Sequence, residues 1–294
     1  MKILHITTQT CIRTIKQILT QHSWGWEPIL MTKAVTHPDL MQYIDNVIPW
    51  GSESILNHWA DYADVVHIHS TIADCDMPHG IIATIKSTTR VVWDIHDLKE
   101  GDYALADAVI VPSNGYHRRV RGKNPNTHVI YSKSPKALRP PKADKDIWAC
   151  CIPTALDGDV AFRDYREAAQ LLKGEGIDLH VYSAEMPSKL KGELMVFEML
   201  PQSDLYRRMS RYQYGWAGSA NSRHDIDICV TNKLWDYLAC GVHPITWRSK
   251  EMAEICRNFD VGSEWPSLNS GCRTIARDEF FLDGDKALFE RAYQ

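Results

Sequence analysis

Short, continuous apolar runs separated by stretches of helical period constrain this chain more than any other feature of it. Arg90 to Ile95 (RVVWDI) and Asp107 to Pro112 (DAVIVP) lack the apolar–polar alternation of a half-exposed strand. Such runs fit strands covered on both faces, as in a parallel sheet with helices on either side. Further strands are expected at Lys2 to Thr8, Pro28 to Thr32, Asn46 to Trp50, Asp64 to Ser70 and Thr127 to Tyr131. Helices are expected between them at Ile12 to His22, at Ser52 to Tyr62 with Ser52 as cap, and near Gly80 to Lys86. Val91, Val92, Ala108, Val109, Ile110 and Val111 should form the buried centre.

The segment Ser134 to Asp146, SPKALRPPKADKD, has three prolines and no core period, so it reads as a linker. The alternation then resumes. Strands are expected at Ile147 to Ile152, Leu179 to Ser183, Leu194 to Leu200 and Tyr214 to Ala217. Helices are expected at Arg163 to Lys173, through Leu205 to Met209 behind a Ser203 cap, and at Lys250 to Arg257. The expected organisation is α/β, with two doubly wound Rossmann-like domains facing an interdomain cleft. These are residues 1–134 and 147–278, joined by a linker at 135–146 and followed by a terminal helix within 279–294. Ligands of such sheets bind at the carboxyl ends of the strands.

At 294 residues the chain can bury two cores, and 44% hydrophobic content is a globular value. No apolar run reaches the roughly 18 residues of a transmembrane segment. The eight cysteines include no CxxC pair, which fits reduced thiols in a cytoplasmic protein. Net charge is −4, yet residues 115–145 hold Arg118, Arg119, Arg121, Lys123, Lys133, Lys136, Arg139, Lys142 and Lys145 against Asp144 alone. That segment is either a contact for something anionic or a solubilising linker.

Thr231 to Thr246, TNKLWDYLACGVHPIT, reads as a short helix followed by a buried strand. Thr231 can cap the helix with its hydroxyl, Leu234, Tyr237 and Leu238 make one apolar stripe, and Gly241 sits at the left-handed C′ position. Lys233 in the first turn opposes the helix dipole. A bound diphosphate would resolve that mismatch, because free amides, dipole and ammonium would all face it. Asp236, one turn on, could accept hydrogen bonds from a ribose diol.

This stretch resembles the donor-site signature of GT-B-fold nucleotide-sugar glycosyltransferases, chiefly the retaining ones. Asp64 to Ser70, Val91 to Asp97, Ala106 to Val120 and Met195 to Met209 resemble further segments of that family, in its order. The resemblance implies a metal-independent transferase with no cofactor beyond a nucleotide-sugar donor, UDP-linked by expectation. Lys233 would hold the diphosphate with Arg163 assisting, and Asp236 the ribose. Asn232, Leu234 and Pro201 would complete the donor site. His96 would lie near the transferred sugar, and Asp97 is the candidate general base for an inverting reaction. Two departures stand out. The loop Thr7 to Cys11 has no glycine where the family has several, leaving Thr8 as a candidate acceptor contact. The family's first glutamate falls at Ile228, with Asp225 or Asp227 as substitutes.

The expected acceptor is a saccharide, lipid or small molecule. The alternative is a hydroxymethylated base in DNA, as in phage enzymes of this fold, with Arg118, Arg119 and Arg121 on the anion. From other classes, His67, His69, Asp94 and His96 could converge as metal ligands of a hydrolase, since each pair lies on one strand face. A non-catalytic nucleotide-binding protein is a further alternative.

Overall fold

The computed structural model describes residues 1–35, 41, 44–70, 77–85, 88–98, 101–224, 226–268, 274 and 276–294. The chain divides into two compact units, residues 1–137 with 281–294, and residues 138–280. Among the described residues no helix is long and apolar enough to cross a membrane.

In the first unit the chain runs β1 (Lys2–Gln9), α1 (Ile12–Ser23), β2 (Glu27–Ala34), β3 (Val47–Pro49), α2 (Glu53–Tyr62), β4 (Val65–Ser70), α3 (Met77–Thr84), β5 (Arg90–Ile95), β6 (Ala108–Val111), α4 (Asn114–Val120) and β7 (Thr127–Val129). The sheet order is β3-β2-β1-β4-β5-β6-β7, and every pairing is parallel. Strand order reverses between β1 and β4, the place where a doubly wound sheet opens a crevice at its carboxyl edge. The expected central residues are buried, with Val92, Ala108, Val109, Ile110 and Val111 at 0% exposure.

The second unit repeats the pattern with β8 (Ile147–Pro153), α5 (Arg166–Gly174), β9 (Asp178–Ser183), β10 (Met195–Glu198), α6 (Gln202–Met209), β11 (Tyr212–Trp216), α7 (Asn232–Ala239), β12 (His243–Thr246), α8 (Lys250–Asn258) and β13 (Ser263–Glu264). Its order is β10-β9-β8-β11-β12-β13, again all parallel, so its switch point lies between β8 and β11. Both units therefore have the strand order of a dinucleotide-binding Rossmann sheet. A final helix, α9 (Lys286–Tyr293), packs Phe289, Ala292 and Tyr293 against Ile3, Val65, Val92 and Ile110 of the first sheet.

Several local expectations need correction. Ser52 precedes α2 as its cap residue, but its hydroxyl meets Ser54 Oγ at 2.8 Å instead of a helix amide. Ser203 lies inside α6, because the helix begins at Gln202 behind Pro201. The helix expected from Arg163 begins at Arg166, after a separate single turn at Ala161–Arg163. β13 carries no apolar run and was not anticipated. β1 continues through Gln9, in register with Ala34, so most of the glycine-free "loop" is strand. Extended backbone there makes no demand for glycine, and only Thr10 and Cys11 connect β1 to α1. The Lys86 end of the third expected helix lies outside the described residues.

Candidate functional site

The Thr231–Thr246 stretch folds largely as its residues dictate. Leu234, Tyr237 and Leu238 are fully buried. Gly241 has φ +64, Val242 N–H donates to Tyr237 O at 2.8 Å, and Gly241 N–H donates to Leu238 O at 3.2 Å. This is a Schellman C-cap, and it turns the chain directly into β12. The other end differs from expectation. Thr231 is the N-cap residue, but its side chain makes no capping bond; its hydroxyl donates to Met252 Sδ at 3.6 Å. Leu234 N–H already donates to Thr231 O at 3.2 Å, and its side chain lies in the core. Leu234 is therefore a packing residue, and Asn232 and Lys233 carry the amides that lead out of the first turn. No acidic side chain occupies that turn.

Asp236 lies on α7 at 6% exposure, and Tyr206 of α6 donates its hydroxyl proton to Asp236 Oδ1 at 2.5 Å. One carboxylate oxygen is thus fixed by the protein, which orients the other. Tyr237 is locked behind it by donating to Cys151 O and Trp216 O. The loop after β11 is pinned as firmly. Ser219 N–H donates to Trp247 O at 2.9 Å, and a Cβ on Gly218 would lie 2.6 Å from Trp247 N, so only glycine fits. Asn221 donates to Ala161 O and Asp164 O, tying this loop to the one that follows β8. Both loops leave the switch-point strands. Arg163 is exposed in the second of them, its guanidinium 5.2 Å from the Phe162 ring centre. Pro201 is the exposed N-cap of α6. Asp227 is half-buried in a turn beside Ile228, and Asp225 lies outside the described residues.

The first unit holds a feature that the sequence reading only half anticipated. Along β1, β4 and β5 the face that begins with Ile3, Val65 and Val92 continues as His5, His67, His69 and Asp94, all at 0% exposure. Opposite stands α1, which presents Arg13, Gln17 and Gln21 at four-residue spacing, all buried. Arg13 clasps Asp94 through Nε and Nη2 at 3.0 and 2.9 Å, and also donates to Ser132 Oγ and Ile130 O. Gln17 donates to Asp94 Oδ2 at 2.7 Å.

A chain of hydrogen bonds runs from this face to its edge. Gln21 Oε1 meets His5 Nε2 at 2.6 Å, His5 Nδ1 meets His69 Nε2 at 2.8 Å, and His69 Nδ1 meets His96 Nε2 at 3.1 Å. His96 Nδ1 then meets Cys11 Sγ at 3.0 Å. Because an amide oxygen can only accept, His5 carries its proton on Nε2 and accepts at Nδ1. His69 must then donate from Nε2 and accept at Nδ1, so His96 donates from Nε2. On the other side, Gln21 Nε2 donates to the Tyr293 hydroxyl, which donates to His67 Nδ1 at 2.6 Å. The chain thus fixes every ring's tautomer.

Protonation follows from the same geometry. Burial pushes the basicities of His5, His67 and His69 down, so all three are neutral. Burial opposes ionisation of Asp94 as well, but the Arg13 guanidinium outweighs it and holds the carboxyl well below its usual range. Burial would also discharge His96, yet the Cys11 sulfur and Asp94 beside it raise it to about 10. Cys11 in turn, disfavoured as a thiolate by burial, is drawn from 9.0 down to about 7 by the His96 charge. Cys11 and His96 form a thiolate–imidazolium couple at the tip of β1. Neither Cys11 nor His5 was singled out in the sequence, although His5 lies two residues from Ile3 on the same strand face.

The neutral histidines make the first unit acid-labile. In the folded state they resist protons that the unfolded chain takes up below its ordinary value of about 6.5. Stability should therefore fall as pH drops through 6.5, by up to ~1.4 kcal/mol per pH unit for each such ring. His96 has the opposite sign, its contribution being full below 6.5 and lost as pH rises towards about 10. The expected result is a melting temperature that falls between pH 7 and pH 5, with a shallower fall in His5→Gln. A flat profile over that interval would contradict neutral burial of these rings.

The four residues considered as metal ligands do come together. His67, His69 and His96 place nitrogens 3.6, 3.5 and 3.4 Å from Asp94 Oδ2. The geometry nevertheless fits a relay better than a metal centre. The His67 and His69 rings are stacked at 4.4 Å with 12° between planes. Although ligand atoms of His69, Asp94 and His96 lie within 4.8 Å of one another, the ring nitrogens of His69 and His96 are already engaged in the hydrogen-bond chain. Asp94 is already held by a guanidinium, whose charge would repel a cation. His96, expected near the transferred sugar, has both ring nitrogens engaged and a side chain only 8% exposed. Asp97 beside it is exposed, and Thr8 is a half-buried strand residue.

The basic segment does not form one continuous track. Lys133 pairs with Asp285 at 2.8 Å, Arg139 donates to Ala276 O, and Lys145 donates to Ser210 O. Arg118 and Arg119 occupy the last turn of α4, where the dipole favours cations, and Arg121 follows; all three are exposed.

No protein-family model and no curated protein matches the sequence. Solved structures match it in fold. An alpha-glucosyltransferase in complex with UDP and a 13-mer DNA containing an HMU base has a TM-score of 0.61 at 14% identity, covering 99% of this chain and 89% of that one. A glycosyltransferase from Rickettsia africae ESF-5 has a TM-score of 0.63 at 11% identity, over 99% and 91%. A Listeria monocytogenes protein designated a UDP-N-acetylglucosamine 2-epimerase has a TM-score of 0.55 at 12% identity, over 100% and 90%. At these identities the likeness is one of fold. The chain has two Rossmann-like parallel sheets, of 7 and 6 strands, in a GT-B-like α/β architecture.

Proposed function

We propose that this chain is a glycosyltransferase that moves a sugar from a UDP-sugar to an acceptor hydroxyl, without a metal and with retention of configuration. The observation that carries this reading is the first turn of α7. It has no side-chain cap and no acidic residue, and it bears Lys233 one turn from the fixed carboxylate of Asp236. A leaving diphosphate develops negative charge as the glycosidic bond breaks, and fixed amides with an ammonium reduce it. Lys233 supplies that charge with Arg163 assisting, Asn232 supplies an amide, Asp236 holds the ribose and Pro201 flanks the base. Similar structures bound to UDP or named for UDP-sugars support the donor class. Asp97 takes the general-base role only in an inverting variant of the reaction.

The acceptor is a saccharide, lipid or small-molecule alcohol. A second reading, a hydroxymethylated base in DNA, has its own support in the exposed Arg118, Arg119 and Arg121 and in the DNA-bound similar structure. UDP-sugars incubated alone, with simple alcohols and saccharides, and with hydroxymethylated duplex DNA separate the cases. Acceptor-dependent UDP release supports transfer. If DNA is the acceptor, three phosphate contacts predict a log–log salt slope of about −3. Conversion of UDP-N-acetylglucosamine to its C2 epimer with no acceptor present would replace transfer with epimerisation.

A further inference from the structure

Cys11 is a cysteine that the fold prepares for reaction. Cys150, Cys151, Cys240 and Cys256 are buried, and burial pushes the thiols of Cys150, Cys151 and Cys256 up. Cys229 is partly exposed, and its N–H donates to Ile226 O at 3.1 Å. Cys11 is also partly exposed, and it sits at the carboxyl end of β1 on the β1/β4 switch point. Its sulfur lies 3.0 Å from His96 Nδ1 and 3.4 Å from Thr14 Oγ1. The groups facing this couple are His69, Asp94 and, behind them, Arg13 and His5. His69 accepts the second His96 proton, and Asp94 sits 3.4 Å from the same nitrogen. The imidazolium is therefore oriented from behind, with its free donor aimed at sulfur. Cys11 has no role in the donor chemistry assigned to the second unit.

We propose that Cys11 is a thiolate modification site for low-molecular-weight disulfides, with His96 as the positioning residue that holds it ionised. The sulfur attacks one sulfur of the disulfide along its S–S axis. A new S–S bond forms at Cys11, the old one breaks, and the departing thiolate leaves with the electron pair and takes a proton from water. Loss of the Cys11 anion also removes one of the two charges that keep His96 protonated. Modification at the tip of β1 is thereby transmitted to the buried relay. The inference does not depend on the sugar-transfer reading.

The test uses the full chain, glutathione disulfide as reagent, and peptide mass mapping to read occupancy at each cysteine. At pH 7 the mixed disulfide should appear at Cys11 first, and its rate should follow a titration with a midpoint near 7, as the couple dictates. In His96→Asn that midpoint should move to about 9 or above. The thiolate fraction at pH 7 then falls about fiftyfold, and the higher nucleophilicity of the more basic sulfur recovers roughly eightfold, so the rate should drop about sixfold. Circular dichroism establishes that the variant is folded. If it is not, Cys11→Ser in the otherwise intact protein serves instead and must abolish the fast phase. Early labelling at another cysteine, a wild-type midpoint near 9, or a profile unchanged by His96→Asn would each overturn the assignment.

Discussion

Arg13→Met should destabilise the first unit by about 3–5 kcal/mol, the cost of leaving a buried carboxylate without its charge partner. Asp94 is completely buried, and three of its closest hydrogen bonds come from the Arg13 guanidinium. No rearrangement of water can replace them. The carboxylate would be forced to protonate, and a protonated Asp94 would no longer orient His96 or balance its charge. The loss is expected as a lowered urea midpoint with little change in slope. Adding Asp94→Asn should recover a substantial part of it, because a neutral amide can still accept from Gln17 without a buried charge. A loss below about 1 kcal/mol in the single variant would mean that the pair is not the buried electrostatic centre described.

Lys233→Ala should lower kcat by about 10²–10³ with a smaller effect on KM, because the ammonium is needed most when the diphosphate departs. Asp236→Asn separates two jobs of the same side chain. The amide oxygen still accepts from Tyr206 and should preserve the fold, while the lost charge weakens the hold on a ribose diol. Its expected signature is therefore a raised KM for the donor at nearly unchanged melting temperature. Unchanged kinetics in both variants would remove the tip of α7 from the donor site.

Much of this architecture was legible because it rests on local periods. Continuous apolar runs such as Ala108–Val111 can only be buried strands, and Gly241 marks the C-cap of α7 because few other residues adopt its φ. Less visible were features that depend on where a side chain finds its partner. The Thr231 hydroxyl had a helix amide within reach by sequence, yet it turns to Met252, a residue of α8 that no local pattern connects to it. Asp107, at the start of an expected strand, accepts from Val91 N–H across the sheet at 2.7 Å, a partner that no local pattern names. The relay is the clearest case. His67, His69, Asp94 and His96 were grouped by alternation, but alternation fixes only the strand face. That the rings stack and chain to Cys11 depends on α1. Its Arg13, Gln17 and Gln21 at four-residue spacing were a readable polar stripe in a helix otherwise buried, and they mark the face opposite a polar patch of sheet. Pro201 and Arg163 occupy loop positions whose exposure no period specifies.

A crystal structure of the chain with UDP bound is the most direct measurement of where donor chemistry resides. The diphosphate should lie against the amides of Asn232 and Lys233 with the Lys233 ammonium on its oxygens, and the ribose diol should reach the Asp236 oxygen not used by Tyr206. UDP bound at any other place, with the first turn of α7 untouched, would contradict it.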